Sequence, residues 1–541
     1  MKKKKIFKLL LRVFLSIVVL IAIGGAYVYS IMPKSIGSPI KLDQSLFRPG
    51  NEIKSTRFIG KPAIELARLI RSHQATSYDI VKEHLDYIRA NNYKYNAFIF
   101  LRDTEALADA KRADEFISKG DTLNKPLLGI PISIKEMFWV KGSPSTMNAK
   151  MYGFIAPEDA TVVKHLKKAG AIILGTTNVP YMLQDYQTQG EVYPTANNPY
   201  DTSRTPGGST GGGAAAVSSG FSTLELGSDM GGSIRIPAAF CGLYGMKPSF
   251  GTVNITEGIG ADTATRFTRM ACASAGPLAR NPQDLDLMWQ VLKTTPIDKN
   301  FQKPCKYLPV DPKPLNGYKI AYMGEWKHGN HKAEIGDDVK NVLIRLRDSL
   351  SQHGVTLNNT APDLYDEMEK NFFGSFCSMM AEGQPWLIRK FIGMDLKKWS
   401  VTDNVPNNNF QAGLDALKDA SDAKWQHLVK ERNSLISWWD EFFKEYDFFV
   451  CPVTYGPAIK KCPSFSEITL EDGTKMPYFH YFQYTIIFNA TGHPCLTIPM
   501  GLNKPGLPIA LQIVGPYYSE DRLIHFAKLI QPLVGGYIQP K

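Results

Sequence analysis

The amino-acid sequence predicts an α/β protein in which a large mixed β-sheet is covered by helices. Short apolar runs bounded by glycine or proline, such as 130–134 and 171–174, have the length and composition of buried strands. They alternate with segments such as 161–168, in which apolar residues recur at helical spacing. Strands that alternate with amphipathic helices in this way predict a sheet with helices packed on it.

The amino terminus carries a separate signal. Residues 13–33 contain no charge and are rich in Leu, Ile, Val and Phe, and they follow a cluster of lysines. A run of this length is typical of a transmembrane helix, and the preceding positive charge favours a cytoplasmic N-terminus. We therefore expect residues 1–33 to be a membrane anchor, with the rest of the chain extracytoplasmic. A cleaved signal segment, which would leave a secreted or periplasmic protein, is the alternative.

The remaining chain reads as a linker followed by one large domain. Residues 34–56 mix Pro, Gly, Ser and charge without periodicity, as in a linker. We expect a single domain over 57–531. Polar, helix-forming sequence predicts a helical insertion at about 300–430, and strand-like runs return near the C-terminus at 448–451 and 495–499.

Composition limits the classes of partner. Of 541 residues, 44% are hydrophobic and 21% are charged, which is typical of a globular protein. The formal net charge is +11, but six positive charges lie in the first twelve residues, so the sequence does not indicate a nucleic-acid partner. The seven cysteines are scattered, without a C-x-x-C pair or the spacing of a zinc site.

Two glycine-dense loops, 205–213 and 227–235, each present a serine. Ser233 follows two glycines, and glycines let backbone N–H groups approach a ligand closely. The residues whose N–H groups could stabilise an oxyanion are Met230, Gly231, Gly232 and Ser233. The other loop carries Ser209. This pattern is typical of a serine hydrolase, which also needs a base.

Lys135 is the candidate base, because it closes the mostly apolar stretch 129–135. Burial at the end of such a strand would disfavour the ammonium form and lower the pKa of the amine. A G-x-S-x-G elbow with Ser209 as the nucleophile is an alternative. The segment before it, 197–201, reads as loop rather than strand, and no HGGG-type oxyanion motif is present, which disfavours that alternative. The glycine loop also lacks the ending of a phosphate-binding P-loop.

Together these residues make the chain resemble the amidase signature family over about 57–530. Segment 175–180 resembles that family's Gly-Lys-Thr-Asn motif, segment 276–280 resembles its Gly-Pro-Met-Ala-Arg motif, and 489–512 agrees with its closing strand pattern. The resemblance implies the amidase signature fold. In place of the family's usual residues, the chain has Thr210 for a second serine and Thr176 for a frequent lysine.

The resemblance also implies a role for each matching residue. Lys135 would be the base, Ser233 the nucleophile, and Ser209 a bridging serine preceded by a cis peptide bond that relays the proton between them. Asp229 and Arg235, together with Thr210, would support the loops. Hydrolysis by such a triad requires no metal and no organic cofactor.

An aromatic and methionine-rich patch between residues 372 and 387 has two interpretations. It is either the core of the inserted helices or the wall of an apolar acyl pocket. Segment 178–183 and the predicted membrane anchor also resemble the fatty acid amide hydrolases. This resemblance implies a lipophilic amide as a candidate substrate. The residues then expected at the substrate pocket are Met182, Leu183, Phe372, Phe376 and Met380.

The sequence thus predicts an amidase that hydrolyses a small-molecule carboxylic amide to acid and amine through an acyl-enzyme on Ser233, with lipophilic or fatty acyl amides as candidate substrates. One alternative is the glutaminase subunit of a tRNA-dependent amidotransferase, which shares the signature. Another is a non-catalytic scaffold of the same fold. Besides the membrane contact through the N-terminal helix, a homodimer is left open.

Overall fold

A computed structural model describes residues 40–541, apart from 41, 52, 54, 151–152, 256–271, 296–305, 329–330 and 401–407. The predicted anchor at 1–33 lies outside these residues, as does the first part of the predicted linker. Within the linker, Gln44–Phe47 form a single 3-10 turn. A helix long and apolar enough to cross a bilayer is absent from the described residues.

The described chain forms one eleven-stranded sheet that mixes parallel and antiparallel neighbours. In order across the sheet, the strands are β1 (Phe98–Leu101), β5 (Ile172–Thr177), β2 (Pro131–Lys135), β6 (Leu224–Asp229), β8 (Ser274–Ala279), β7 (Tyr244–Lys247), β16 (Cys495–Leu502), β17 (Pro508–Val514), β13 (Phe448–Pro452), β9 (Lys319–Tyr322) and β12 (Thr356–Asn359). The prediction of a large mixed sheet is confirmed.

Among the described residues, three two-stranded sheets lie outside this large sheet. They pair β3 (Pro144–Ser145) with β4 (Phe154–Ile155), β10 (Trp326–His328) with β11 (His331–Ala333), and β14 (Ile468–Thr469) with β15 (Lys475–Met476).

The helices pack on this sheet, as the alternating pattern predicts. They are α1 (Ala63–Arg71), α2 (Ser77–Tyr95), α3 (Asp103–Ser118), α4 (Thr161–Lys168), α5 (Gly211–Ser218), α6 (Arg235–Phe240), α7 (Pro282–Leu292), α8 (Asp337–Gln352), α9 (Tyr365–Ala381), α10 (Trp386–Ser400), α11 (Asn408–Lys418), α12 (Asp422–Glu445), α13 (Tyr478–Thr491) and α14 (Glu520–Ile530). Helix α4 has the bounds that the apolar spacing predicts.

The region predicted as a helical insertion differs from that prediction in one respect. It contains helices α8 to α11, but it also supplies two strands of the main sheet. Strand β9 pairs in parallel with both β12 and β13, so this region extends the sheet by two strands. A strand of only four residues, such as β9, gives a weaker sequence pattern than the longer helices around it.

Three neighbouring strands fix the position of the candidate site. Strand β2 pairs in parallel with β5 on one side and with β6 on the other, so all three end at the same edge of the sheet. Ligands bind at such carboxyl-terminal edges in α/β proteins. Lys135 ends β2 and Asp229 ends β6, and the loop that carries Ser233 follows directly.

Candidate active site

Lys135 lies at the end of β2 with its side chain fully buried. Its Nζ donates to Ser209 Oγ at 2.7 Å and to Ser228 Oγ at 2.9 Å. Burial lowers the pKa of the amine to about 7, against the opposing attraction of the Asp229 and Glu225 carboxylates. The amine can therefore be neutral near neutral pH, as a general base must be.

Ser209 stands between the base and the start of helix α5. The peptide bond from Gly208 to Ser209 is cis, in agreement with the resemblance. Ser209 is 2% exposed, and α5 begins two residues later with a run of glycine and alanine that is buried throughout. Ser209 is thus held by a buried helix and by Lys135. The segment 197–201 that leads to this loop contains no strand, so the strand-to-helix elbow of the alternative interpretation is not formed.

Ser233 lies in the neighbouring loop and is 8% exposed. Gly232, just before it, has φ of +119°, and a Cβ at that position would come within 2.4 Å of Thr485 Oγ1, so only glycine fits there. The Thr210 N–H donates to the Ser233 carbonyl at 3.1 Å, which ties the two loops together. In the described part of the chain, no hydrogen bond joins the Ser209 and Ser233 hydroxyls directly.

The Gly231–Gly232 peptide unit is fixed at both ends. Its carbonyl accepts hydrogen bonds from the Thr485 hydroxyl at 2.7 Å and from the Tyr186 hydroxyl at 2.9 Å. Its N–H, which belongs to Gly232, donates to Asp229 Oδ1 at 2.8 Å. The orientation of this peptide is therefore set by three side chains.

This arrangement changes the predicted set of oxyanion donors. The Gly232 N–H points to Asp229 and is not available to a substrate. The N–H groups of Met230, Gly231 and Ser233 make no internal hydrogen bond within the described residues, so they are the donors that a developing oxyanion can use. The glycine pattern alone predicts four donors, but one of them, the Gly232 N–H, donates to the Asp229 carboxylate at the end of β6.

Asp229 and Arg235 form a fully buried ion pair behind this loop. The guanidinium donates to both Asp229 oxygens at 3.0 Å and also reaches the side-chain oxygens of Asn489 and Gln512. Burial acts to raise the pKa of Asp229, but the Arg235 charge and its hydrogen bonds outweigh it and hold that pKa well below its usual range. Asp229 is thus an anion that anchors the loop through the Gly232 N–H.

Replacing Arg235 with methionine is expected to lower the free energy of unfolding by about 3–5 kcal/mol, because it leaves Asp229 buried without its counter-charge. Chemical denaturation of both proteins measures the difference. The control is Lys82→Met, which removes an exposed pair with Asp86 and should cost less than about 1 kcal/mol. Equal losses in the two variants would contradict the anchoring role of the Asp229–Arg235 pair.

The predicted pocket residues fall into two groups. In the first, Phe372 lies on α9 with its ring tip 3.5 Å from the point where a Cβ on Gly231 would stand. Phe376, one turn further on, stacks on Phe372 with ring centroids 6.1 Å apart, and Met380 follows after another turn. Phe372 therefore borders the loop before Ser233, and Phe376 and Met380 extend the same face of the helix away from it.

Met182 and Leu183 form the second group. They lie in a 3-10 turn, are half-buried and have positive φ values of 52° and 63°. The Met182 N–H donates to the Met147 carbonyl at 2.8 Å. This turn ends three residues before Tyr186, which contacts the Gly231 carbonyl.

Sequence reasoning missed several residues that the structure places at this site. Tyr186 and Thr485 hold the Gly231 carbonyl, and Ser228 contacts Lys135. Ser228 lies inside the motif that predicted Ser233, so its neighbourhood could have drawn notice. Tyr186 and Thr485 come from distant segments and carry no local signal. Within the described residues, no cluster of His, Cys, Asp or Glu is arranged to hold a metal ion.

Comparison with known proteins shows the family to which the chain belongs. The family model described as Amidase matches residues 79–524. The chain is 30% identical over 495 residues to the glutamyl-tRNA(Gln) amidotransferase A subunit of Clostridium botulinum, covering 87% of this chain and 96% of that protein. It is 32% identical over 495 residues to the protein of that name from Pseudomonas aeruginosa, covering 86% and 96%.

Solved structures share the fold at lower identity. A bacterial aryl acylamidase superposes with a TM-score of 0.71 at 21% identity, covering 88% of this chain and 97% of the other. A fatty acid amide hydrolase superposes with a TM-score of 0.70 at 20% identity, covering 89% and 86%. The chain belongs to the amidase signature family, whose members are serine hydrolases that act on amides.

Two predictions from the sequence are wrong in view of these findings. The first is an amidase that hydrolyses a small-molecule carboxylic amide, with lipophilic or fatty acyl amides as candidate substrates. The curated relatives are amidotransferase A subunits, which supports the alternative of a glutaminase subunit better. The likeness to fatty acid amide hydrolases extends to the fold alone.

The second wrong prediction is a membrane-anchored or exported location. It does not agree with the relatives that align with most of the chain, which are glutamyl-tRNA(Gln) amidotransferase A subunits. The membrane contact rested on residues 13–33, which lie outside the described part.

Proposed function

We propose that this chain is a glutamine amidohydrolase of the type of the amidotransferase A subunits, which releases ammonia from the glutamine side chain through an acyl-enzyme on Ser233. The observation that carries the proposal is the 2.7 Å hydrogen bond from the buried Lys135 amine to the Ser209 hydroxyl. The next residue, Thr210, donates its N–H to the Ser233 carbonyl, so the loop of Ser209 also contacts the loop of Ser233. The choice of glutamine rests on the curated relatives, which align over nearly their whole length.

The reaction begins with the neutral Lys135 amine. As Ser233 Oγ attacks the amide carbon, its proton passes to Ser209 Oγ, and the Ser209 proton passes to Lys135. The new carbon–oxygen bond leaves negative charge on the carbonyl oxygen, which faces the N–H groups of Met230, Gly231 and Ser233. Burial of Lys135 is what makes it a proton acceptor at this stage.

The collapse of the tetrahedral intermediate reverses the proton path. Lys135 returns a proton through Ser209 to the departing nitrogen, the carbon–nitrogen bond breaks, and ammonia leaves. Water then attacks the acyl-enzyme with Lys135 again as base, which releases glutamate and restores the Ser233 hydroxyl. Each proton that Lys135 accepts is donated again within the cycle, so the site needs no other general acid or base.

Amidotransferase subunits work together with other chains, so this proposal includes partner proteins as well as a small-molecule amide. A homodimer stays a prediction. The aromatic face formed by Phe372 and Phe376 borders the loop before the nucleophile and is proposed as one wall of the amide site. The roles of Met380, Met182 and Leu183 in that wall are part of the same proposal.

Glutamate production from glutamine by the purified full chain tests the proposal. We expect Ser233-dependent hydrolysis of glutamine, with kcat/KM about tenfold or more above that for a short aliphatic amide and a long-chain fatty amide. Turnover of the fatty amide but not of glutamine would overturn the substrate. A folded protein whose Ser233 does not react with a fluorophosphonate would overturn the enzyme and favour the scaffold alternative.

A further inference from the structure

A second titratable side chain, Glu225, lies beside the base and has no part in the steps above. It is on β6, directly opposite Ser133 of β2. Since side chains alternate along a strand, Ser133 and Lys135 share one face of β2, and Glu225 lies on that face too. Glu225 is 0% exposed.

A hydrogen bond links the Glu225 carboxyl to the strand on the other side of β2. Thr177 on β5 lies opposite Lys135, on the other side of β2 from Glu225. Its hydroxyl donates to Glu225 Oε1 at 2.6 Å. Because the donor and the acceptor belong to the two strands that flank β2, the bond between them passes over the segment from Ser133 to Lys135.

Helix α5 closes this space from above. A Cβ on Gly213 would lie 2.3 Å from both Cδ and Oε1 of Glu225, so the carboxyl fills the place of a side chain in the first turn of the helix. That helix follows Ser209 directly in the chain. Glu225 is therefore enclosed between the strand of the base and the helix that follows the bridging serine.

The charge on this carboxyl is poorly compensated. Oε2 of Glu225 has no hydrogen-bond partner among the described residues, and a buried carboxylate with an unpaired oxygen is costly. Burial raises the pKa of Glu225 to about 8, ahead of the opposing effects of Ser133, Thr177 and Lys135. Neutral pH therefore falls in the range where both Glu225 and Lys135 can exchange protons.

Other charges near the pair do not change in this range. The charged groups that act on Lys135 are Asp229 and Glu225, and the one that acts on Glu225 is Lys135. Arg235 holds Asp229 in its anionic form. The remaining contacts of the pair, including Thr177 and Ser228, are neutral hydroxyls.

We propose that Glu225 is a positioning residue for amide hydrolysis, whose charge sets the proton affinity of the Lys135 base. When the carboxyl holds a proton, Lys135 can be a neutral base. When the carboxyl is ionised, it stabilises the ammonium form and withdraws the base. This inference rests on the proposed role of Lys135, but it does not depend on which amide is the substrate.

The test is the pH dependence of Ser233 labelling by a fluorophosphonate, which reports nucleophile activation without any amide. Replacing Glu225 with glutamine removes the charge and keeps the size. Glu225 is mostly protonated in the range where Lys135 titrates, so only its ionised fraction raises the pKa of Lys135. Its removal should therefore move the acid limb of the labelling rate to lower pH, by less than about one pH unit. The matched control is Glu136→Gln, a buried glutamate next to Lys135 whose oxygens bond Thr146 and Met147. That variant should leave the midpoint unchanged.

A second variant covers the case in which Glu225→Gln does not fold. Thr177→Val removes the hydrogen bond to Oε1, favours the neutral carboxyl and should give a smaller shift in the same direction. Unshifted midpoints in the folded variants, or an equal shift in Glu136→Gln, would overturn the inference. A protein that labels at Ser233 without hydrolysing glutamine would overturn only the proposed substrate, and the midpoints would still decide the role of Glu225.

Discussion

Replacing Ser233 with alanine should reduce amide hydrolysis by about four orders of magnitude or more. The change removes one oxygen atom, and the loop around it is held by other groups, namely the Asp229 carboxylate and the Thr210 N–H. The loss should therefore appear in kcat without unfolding. Steady-state rates together with thermal melts of both proteins measure the two effects.

Ser228→Ala is the matched control for that experiment. Ser228 also contacts Lys135, at 2.9 Å, but it is not positioned as a nucleophile in the proposed mechanism. Its removal should lower the rate far less than the loss of Ser233. If the Ser233 variant kept most of the activity and Ser209→Ala abolished it, Ser209 rather than Ser233 would be assigned as the nucleophile.

Replacing Lys135 with methionine should lower kcat/KM by about two to four orders of magnitude and change its pH dependence. In the unmodified protein, activity should rise through a pKa of about 7, because below that pH Lys135 carries a proton and cannot accept another. The methionine variant keeps the apolar bulk and lacks the amine, so its residual activity should lose this acid limb. Rates from about pH 5 to pH 9 give both profiles.

The control for this profile is Lys82→Met, which removes an exposed lysine on helix α2. It should keep both the rate and the acid limb. An unchanged acid limb in Lys135→Met would assign the titration to another group and remove Lys135 from the role of base.

Local patterns were sufficient to select Lys135, Ser209 and Ser233 as candidate residues, whose catalytic roles stay a prediction. Lys135 follows from an apolar strand that ends in a lysine, and Ser209 and Ser233 follow from glycine loops whose spacing matches a family. The strands that carry them are short, apolar and bounded by glycine or proline. Such features lie within a few residues of one another, so a single sequence displays them.

Contacts between distant segments could not be predicted in the same way. Tyr186 and Thr485 meet at the Gly231 carbonyl, although Thr485 lies more than two hundred residues further along the chain. The Gly232 N–H cannot serve as an oxyanion donor because it donates to Asp229, and this hydrogen bond depends on the turn geometry of one loop. Only the folded arrangement shows which polar groups are already paired.

The predictions of the substrate and of the location were wrong for a different reason. An aromatic patch such as Phe372 to Leu387 is compatible with a core, an acyl pocket or the wall of a small polar site. Composition does not distinguish these, because specificity depends on the shape of the pocket. Likewise, the apolar run 13–33 is a signal about a segment, and it does not determine where the folded part of the chain acts.

The close approach of Gly213 and Glu225 restricts how this sequence can change during evolution. The two residues occupy one volume, since a Cβ at 213 would overlap the carboxyl of residue 225. A larger residue can appear on the helix only after the strand position has become small, and the order of substitutions matters. We expect positions 213 and 225 to vary together among relatives, with a large side chain at one position accompanied by a small one at the other.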